Sequence, residues 1–353
     1  MNLYETWNKR PLIISGPCSA ETEEQVLQTA ERLGKTGKVD ILRAGIWKPR
    51  TRPGSFEGIG TKGLPWLQQA KKITGLPVAV EVATAKQVED SLHFGVDVLW
   101  IGARTTVNPF SVQELADALR GVEIPVLIKN PINADLELWT GAVERVARAG
   151  IKQIGLIHRG FAAYGNSQYR NAPMWHLAIE MKRRNPELMI VNDPSHICGR
   201  RDILMDVAQK AIDLDFDGLM IESHIDPDSA WSDAKQQVTP ERLAEMLSEI
   251  IWRKEDVPSV SFHLALDKLR EQINHVDDEL FQLLAQRMKI ADQIGEYKRN
   301  NNVTILQTNR WNQILERAFE KSDNLDLSRE FITKYLDAVH MESINRQTRI
   351  MNS

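Results

Sequence analysis

The chain has 353 residues, 42% of them hydrophobic and 26% charged, with a net charge of −4. That length holds one large domain and a small one, and the mild acidity excludes bulk nucleic-acid binding, leaving local basic clusters to small anions. No apolar run is long enough to cross a membrane, residues 1–7 lack a signal peptide's basic flank and apolar core, and two cysteines, Cys18 and Cys198, make no disulfide framework; the expectation is a reduced, cytoplasmic protein.

From residue 11 to about 250, short apolar runs alternate with amphipathic stretches of helical length. The runs lie at 12–14, 41–42, 78–80, 98–101, 126–128, 154–157, 188–191 and 219–221. Being continuous rather than alternating, they read as parallel strands covered on both faces. The stretches at 24–33, 112–119, 138–149, 174–184 and 203–212 carry apolar residues three and four apart, the period of a helix. Eight such units predict a (β/α)8 TIM barrel over residues 1–252. An open doubly wound sheet is the alternative, but it would gather its reactive groups at one switch point. Here they follow every run, as Cys18, Arg43, Glu81, Arg104, Lys129, His158 with Arg159, His196, and Glu222 with His224. Active sites of barrels sit at those strand ends.

The second run opens into Arg43-Ala-Gly-Ile-Trp-Lys-Pro-Arg-Thr-Arg-Pro53, where Arg43, Lys48, Arg50 and Arg52 stand with no acid among them. One reading is a basic surface loop. The other is a preformed site for phosphate and carboxylate, whose oxygens guanidinium forks match bidentately. Arg43, Lys48 and Arg50 with Arg104, Lys129 and Arg159 from other strand ends favour the second, because six cations at one barrel mouth repel unless anions neutralise them. Lys129 also admits the reading of a Schiff-base lysine. Cys18, His196, Glu222 and Asp233 each lie beyond a strand end, where closure of a barrel would bring them together. One thiolate, one imidazole and two carboxylates suit manganese, iron, cobalt or zinc. Taken singly, each reads as well as a core cysteine, a core histidine or a turn cap. A Lewis acid there would make a Schiff base unnecessary.

Five ordered motifs then point to a family. Gly-Pro-Cys-Ser at 16–19, Lys-Pro-Arg-Thr at 48–51, Gly-Ala-Arg at 102–104, Ile-Lys-Asn at 128–130 and Asp-Pro-Ser-His at 193–196 resemble the type I beta 3-deoxy-D-arabino-heptulosonate 7-phosphate synthases, over about 10–250. The resemblance implies condensation of phosphoenolpyruvate with erythrose 4-phosphate, the first step of the shikimate pathway. It implies a divalent metal cofactor (Mn2+, Fe2+, Co2+ or Zn2+) held by Cys18, His196, Glu222 and Asp233. It puts Arg104, Lys129 and Arg159 on the phosphoenolpyruvate phosphate, Arg43 and Lys48 near its carboxylate and the reacting carbons, and Lys48, Arg50 and Thr51 on erythrose 4-phosphate. Lys48, Cys18 and His196 are the candidate catalytic residues. A related family uses arabinose 5-phosphate to make an octulosonate; it shares Gly-Pro-Cys but typically lacks the Lys-Pro-Arg-Thr order, so the four-carbon sugar is favoured. The stretch 102–109 departs from the family's usual continuation after Gly-Ala-Arg.

Thr239-Pro-Glu-Arg-Leu243 reads as a capped helix start, and the polar, proline-bearing stretch 253–261 as a linker. Beyond it no strand signal remains. Residues 262–353 read as an all-helical domain, with a long helix over 264–300, a turn at Asn300-Asn-Asn302, and helices near 308–320 and 326–349. The first would span ~50 Å at ~1.5 Å per residue, too far to bury one face against two short partners alone. The spacing therefore predicts an intertwined homodimer, or a larger assembly built on it. At ~100° per residue Arg287 and Lys298 point within roughly 20° of each other, whereas Arg270 lies about 100° away. Ser343 and Gln347, four apart, share a face. Singly, each reads as well as a solvated position.

The order Leu269-Arg-Glu-Gln-Ile273, Leu283-Leu-Ala-Gln-Arg287, Lys298, Arg310, Ser343 and Gln347 resembles the all-helical chorismate mutase family over about 262–350. The resemblance implies a dimer in which Arg270 reaches the other copy's pocket, and rearrangement of chorismate to prephenate. That reaction needs cations for two carboxylates and donors at the ether oxygen, with no nucleophile. Arg270, Arg287 and Arg310 would take the carboxylates and the hydroxyl region, and Lys298 and Gln347 the ether oxygen; Arg287, Lys298 and Gln347 are the candidate catalytic residues. Gln307 stands where that family often has an acid. An amide still hydrogen-bonds the substrate hydroxyl, so the expectation is reduced rather than absent activity.

Three roles compete for the tail: a second enzyme, a feedback sensor of chorismate or prephenate acting on the barrel, and a dimerisation device. The cationic pocket argues against the last, which would need only apolar seams. With strand one beginning near residue 12, no regulatory domain is expected ahead of the barrel. The alternatives for the whole chain are an octulosonate-phosphate synthase with a purely regulatory or dimerising tail, and a metal-holding regulatory protein. The latter would need no cluster of six cations.

Overall fold

Each of the eight apolar runs is a strand in the computed structural model, which describes residues 3–352 apart from 50–53, 55, 164–166, 255 and 323. The strands are β1 Leu12–Gly16, β2 Ile41–Arg43, β3 Val78–Val82, β4 Val98–Ile101, β5 Val126–Lys129, β6 Ile154–His158, β7 Met189–Asn192 and β8 Gly218–Glu222. All neighbours pair in parallel, and β1 closes on β8 with Gly16 opposite Glu222. That closure rules out the open doubly wound sheet.

The two-residue alternation of a strand divides the core into two layers. Leu12 and Ile14 point inward with Ile41, Val98, Trp100, Leu127, Ile157, Val191 and Met220, and Trp7 of the short helix Leu3–Asn8 joins them. Ile13 points outward, into the larger cluster between strands and helices, with Leu33, Leu67 and Trp139. Leu67 is wholly buried there, and truncating it to Ala would cost ~2–5 kcal/mol. The helices start where polar side chains accept from their free N–H groups: Thr22 from Gln25, Asp135 from Leu138 and Thr239 from Arg242, caps worth ~1 kcal/mol each. Two short helices, Ala103–Thr106 and Pro194–Cys198, follow β4 and β7 at the site; at one turn they are too short to show a helical period.

The chain divides into two compact units, Met1–Glu255 and Asp256–Ser353. The second contains the helices Val260–Asn300, Thr308–Ser322 and Arg329–Met351. The first of these starts inside the stretch read as linker, because Ser259 caps it by accepting from the Phe262 N–H. Its 41 residues span ~60 Å at ~1.5 Å per residue. It packs on the last helix around Gly295, where a Cβ would come within 3.2 Å of the Gln347 side chain. Its other half shows an exposed apolar stripe of Leu269, Ile273, Val276, Leu280 and Leu283, at the alternating four- and three-residue spacing of a helix–helix seam. No helix among the described residues is long and apolar enough to cross a membrane.

Candidate active sites

At the C-terminal end of the barrel, Cys18, Arg43, Lys48, His196, Glu222 and Asp233 come together. Gly16 ends β1 with φ +148° and its Cα against the Arg43 carbonyl, where a Cβ would stand 2.0 Å from the oxygen. Only glycine lets the chain pass this close and deliver Cys18 to the mouth. The Cys18 N–H donates to Gln237 Oε1 at 2.9 Å, and its sulfur lies 3.2 Å from Asp233 Oδ2 and 2.7 Å from Lys48 Nζ. Lys48 also donates to the Cys18 carbonyl at 2.9 Å. Burial first, then Glu222, pushes the Cys18 thiol up to about 12, with Lys48 opposing.

Glu222 ends β8 fully buried. Its Oε2 accepts from Gln236 Nε2 at 2.7 Å; its Oε1 lies 3.2 Å from Arg43 Nη1 and 3.7 Å from His196 Nε2 but makes no aligned hydrogen bond. Burial would raise this carboxyl, but His196, Arg43 and Lys48 outweigh it and hold it below its usual value. Asp233 is likewise held low: burial is overcome by Arg170, whose Nη1 lies 2.8 Å away, and by Lys48 and His196.

Arg43 is itself buried, donates to the Cys18 carbonyl at 3.1 Å, and lies over the Trp100 ring at 4.9 Å. Lys129 Nζ also lies near that ring, 5.9 Å from its centre, and pairs with Asp193 Oδ2 at 2.8 Å. The same oxygen lies 2.8 Å from His196 Nδ1, close but without an aligned hydrogen bond, and Nε2 lies on the side of Glu222. Burial then lowers the imidazole's affinity for a proton, with Asp193 opposing. Arg159, after β6, is buried and pushed down to about 10 by desolvation, with Asp193 opposing and Arg170 and Arg104 adding to the fall. A guanidinium so strained for counter-charge is a place for an anion. Arg104 lies in the first turn of Ala103–Thr106 with an exposed side chain. Arg50 and Thr51 lie outside the described residues.

His158, flagged with Arg159 at the strand end, does not serve the mouth. It packs among Phe161, Trp175 and Phe216, its Nε2 2.6 Å from the Pro173 carbonyl and its Nδ1 3.0 Å from Asn192 Nδ2. Asp193, Trp100, Arg170 and Gln236 complete the mouth beyond the residues that the sequence marks. Asp193 was visible inside Asp-Pro-Ser-His, but nothing local marks the other three.

The donor set of Cys18, His196, Glu222 and Asp233 fits a divalent ion by chemistry and burial, and the unsatisfied Glu222 Oε1 is a lone pair without a donor. As the side chains stand, Lys48 lies against the Cys18 sulfur, Arg170 against Asp233, and Gln236 donates to Glu222 Oε2. Among the described residues no three His, Cys, Asp or Glu side chains form a ready-made ligand group.

The helical unit holds a second site, a cleft of about 340 Å3 lined by Arg287, Lys298, Gln307, Arg310, Ser343 and Gln347. Arg287 Nη1 donates to Ser343 Oγ at 2.6 Å, and Lys298 donates to the Ile305 carbonyl. Gln347 Oε1 is buried with no hydrogen-bond partner among the described residues. Arg270 is exposed beside Asp267 and does not line the cleft, as its angle on the helix requires. Trp311 and His340 also line it, stacked with centroids 4.3 Å apart.

Known proteins resemble both units. Residues 5–257 match the DAHP synthetase I family and residues 269–348 match chorismate mutase type II. A phospho-2-dehydro-3-deoxyheptonate aldolase of Thermotoga maritima is 33% identical over 238 residues, 67% of this chain and 68% of that one. A 2-dehydro-3-deoxyphosphooctonate aldolase of Alkalilimnicola ehrlichii is 29% identical over 262 residues, 69% of this chain and 90% of that one. The crystal structure of a Thermotoga maritima DAHP synthase superposes with a TM-score of 0.62 at 32% identity, covering 69% of this chain and 68% of that one.

Proposed function

The chain belongs to the DAHP synthetase I family and carries a chorismate mutase type II domain, a bifunctional shikimate-pathway enzyme; from that premise we propose how its residues divide the work. The carrying observation is that Cys18, Lys48, Arg43 and Glu222 meet within hydrogen-bond or ion-pair distance at one barrel mouth. Arg104, Lys129 and Arg159 hold the phosphoenolpyruvate phosphate, and Arg43 holds its carboxylate. Lys48, Arg50 and Thr51 hold erythrose 4-phosphate. Keeping two polyanions together in fixed orientation is the part of the barrier that water cannot lower. C3 of the enolpyruvate attacks the aldehyde carbon, and Lys48 protonates the aldehyde oxygen. Water adds at C2, and phosphate leaves by C–O cleavage, so that the two substrates and one water become the seven-carbon product and inorganic phosphate. A divalent ion held by Cys18, His196, Glu222 and Asp233 would supply Lewis-acid polarisation of the aldehyde.

In the helical unit Arg287 and Arg310 take the carboxylates, Lys298 and Gln347 the ether oxygen, and Gln307 the hydroxyl; Ser343 orients Arg287. The unit forms a homodimer through the apolar stripe of its long helix, with Arg270 completing the other copy's cleft. Chorismate or prephenate bound there inhibits the barrel. The two free, buried cysteines suit a reducing cytoplasm.

The test is loss of phosphoenolpyruvate absorbance with erythrose 4-phosphate, with and without a chelator. Activity lost to the chelator and restored by Mn2+, Fe2+, Co2+ or Zn2+ is expected; activity indifferent to it sinks the metal assignment. Turnover of arabinose 5-phosphate instead would sink the sugar assignment. For the sensor, prephenate inhibition that survives Arg287→Ala would sink the link between cleft and barrel.

A further inference from the structure

We propose that His340 is a further binding residue of the mutase cleft, whose Nε2 takes its hydrogen-bond partner from the bound hydroxy-dicarboxylate. The proposal rests on the chorismate reading of that cleft and extends it. His340 lies three residues before Ser343 and seven before Gln347 on the helix Arg329–Met351, so at ~100° per residue all three fall within about 60° of one another. All three line the cleft.

The ring is pinned. It stacks on Trp311 at 4.3 Å with planes 20° apart, and Trp311 follows Arg310 on the facing helix Thr308–Ser322. Its Nε2 is buried and has no hydrogen-bond partner among the described residues. An unpaired buried imidazole nitrogen carries a desolvation cost that an apolar ring, stacking equally well, would avoid. Stacking therefore does not account for the nitrogen.

A second orphan belongs to a lining residue of the same cleft: Gln347 Oε1 is also buried and unpaired among the described residues. Both atoms are closed to solvent as the side chains stand, yet both belong to side chains that line the cleft, so a rotation about a soft terminal torsion presents each to a bound ligand. Burial, then Arg287 and Lys298, lower the proton affinity of the ring, with Asp337 opposing, so it stands neutral with one donor and one acceptor nitrogen. A half-turn about Cβ–Cγ keeps the ring plane, and so the stack, while exchanging which edge meets the cleft; the terminal torsion of histidine is soft enough for this.

The test compares His340→Phe with the unmodified chain. Phenylalanine keeps the stack and removes the nitrogens. The expected result is an unchanged or higher Tm together with a KM for chorismate and a Kd for prephenate raised about fivefold or more, the loss of one neutral hydrogen bond. A Phe variant that binds like the unmodified chain overturns the proposal, since it leaves the ring only its stacking role. The 15N resonance of the His340 imidazole in the unmodified chain gives an independent reading should the variant fold poorly: it shifts on prephenate addition if the nitrogen is engaged, and an unmoved resonance overturns the idea. Arg287→Ala is the control for the cleft itself. If it too leaves chorismate turnover intact, the chorismate reading of this cleft fails, and not the role of His340 within it.

Discussion

Lys48 Nζ lies 2.7 Å from the sulfur of Cys18, so a substrate-holding cation and a proposed metal ligand share one contact. Binding a divalent ion and releasing the thiol proton adds one net positive charge beside that ammonium. Repulsion from Lys48 therefore outweighs the help it gives by lowering the thiol's hold on its proton. The metal-free Lys48→Met variant is expected to bind Mn2+ or Zn2+ more tightly than the unmodified protein in a calorimetric titration. Its turnover should fall about 100-fold or more, as for a lost proton donor. Weaker metal binding in this variant would sink the account.

Asp193 Oδ2 is shared by Lys129 and His196 at 2.8 Å each. Although it is buried, those two partners hold its carboxyl well below the usual range. Asp193→Asn keeps the shape but removes the charge that pairs with the lysine and lies against the imidazole. The expected loss is about 10- to 100-fold, as for other partners behind a ligating histidine, with a raised KM for phosphoenolpyruvate. Unmodified kinetics in this variant would show that neither residue needs the carboxylate.

The barrel was legible because its strands are covered on both faces and so read as unbroken apolar runs, each ending in a chemically distinct residue. Cys18, Arg43, Glu222 and His196 could thus be placed at one mouth from strand order alone. What strand order does not carry is the partner of each group. Arg170 meets Asp233 and Trp100 lies under Arg43 only through barrel closure, and the stack of Trp311 on His340 joins two helices whose facing angles the sequence does not specify. His158 shows the opposite failure: it is a polar residue at a strand end like those of the mouth, but the pleat turns it outward into an aromatic cluster.

His158 should set part of the acid stability of the barrel. Burial lowers it from 6.5 to about 4, so the unfolded chain takes up the proton first. The stability it contributes is whole above pH 6.5 and is lost as the pH falls toward 4, up to ~3 kcal/mol at ~1.4 kcal/mol per unit. His158→Gln removes the titration. Melting temperature against pH should fall less steeply between 6.5 and 4 in the variant, whatever its absolute stability; an equal slope would locate the acid sensitivity elsewhere.

Gln307 lines the mutase cleft with Arg310, three residues on. An amide holds a hydroxyl by a neutral hydrogen bond, whereas a carboxylate holds it by a charge-assisted one, roughly twice as strong. Gln307→Asp is therefore expected to raise chorismate turnover several-fold. No gain in rate would mean that the substrate hydroxyl is held by another group.

Arg270 and Arg287 lie on one helix, yet Arg287 lines the cleft and Arg270 is exposed away from it. If a pocket is completed by Arg270 of a second copy, Arg270→Ala and Arg287→Ala should each abolish mutase activity alone and rescue one another when mixed. In a mixed dimer, one cleft has its own Arg287 and receives an intact Arg270 from the other chain. The second cleft lacks both. Random pairing of equal amounts makes about half of the dimers mixed, each with one working cleft in two, so activity should recover to about a quarter of the unmodified level, as symmetric exchange requires. Chains brought together by coexpression, with a tag on each to isolate the mixed dimer, should show about half. The exposed stripe of Leu269, Ile273, Val276, Leu280 and Leu283 is the seam that such pairing would bury, so Leu280→Asp should abolish the rescue by leaving the chains apart. A mixture as inactive as either parent would mean that each cleft works with the residues of one chain, and that Arg270 has no part in it.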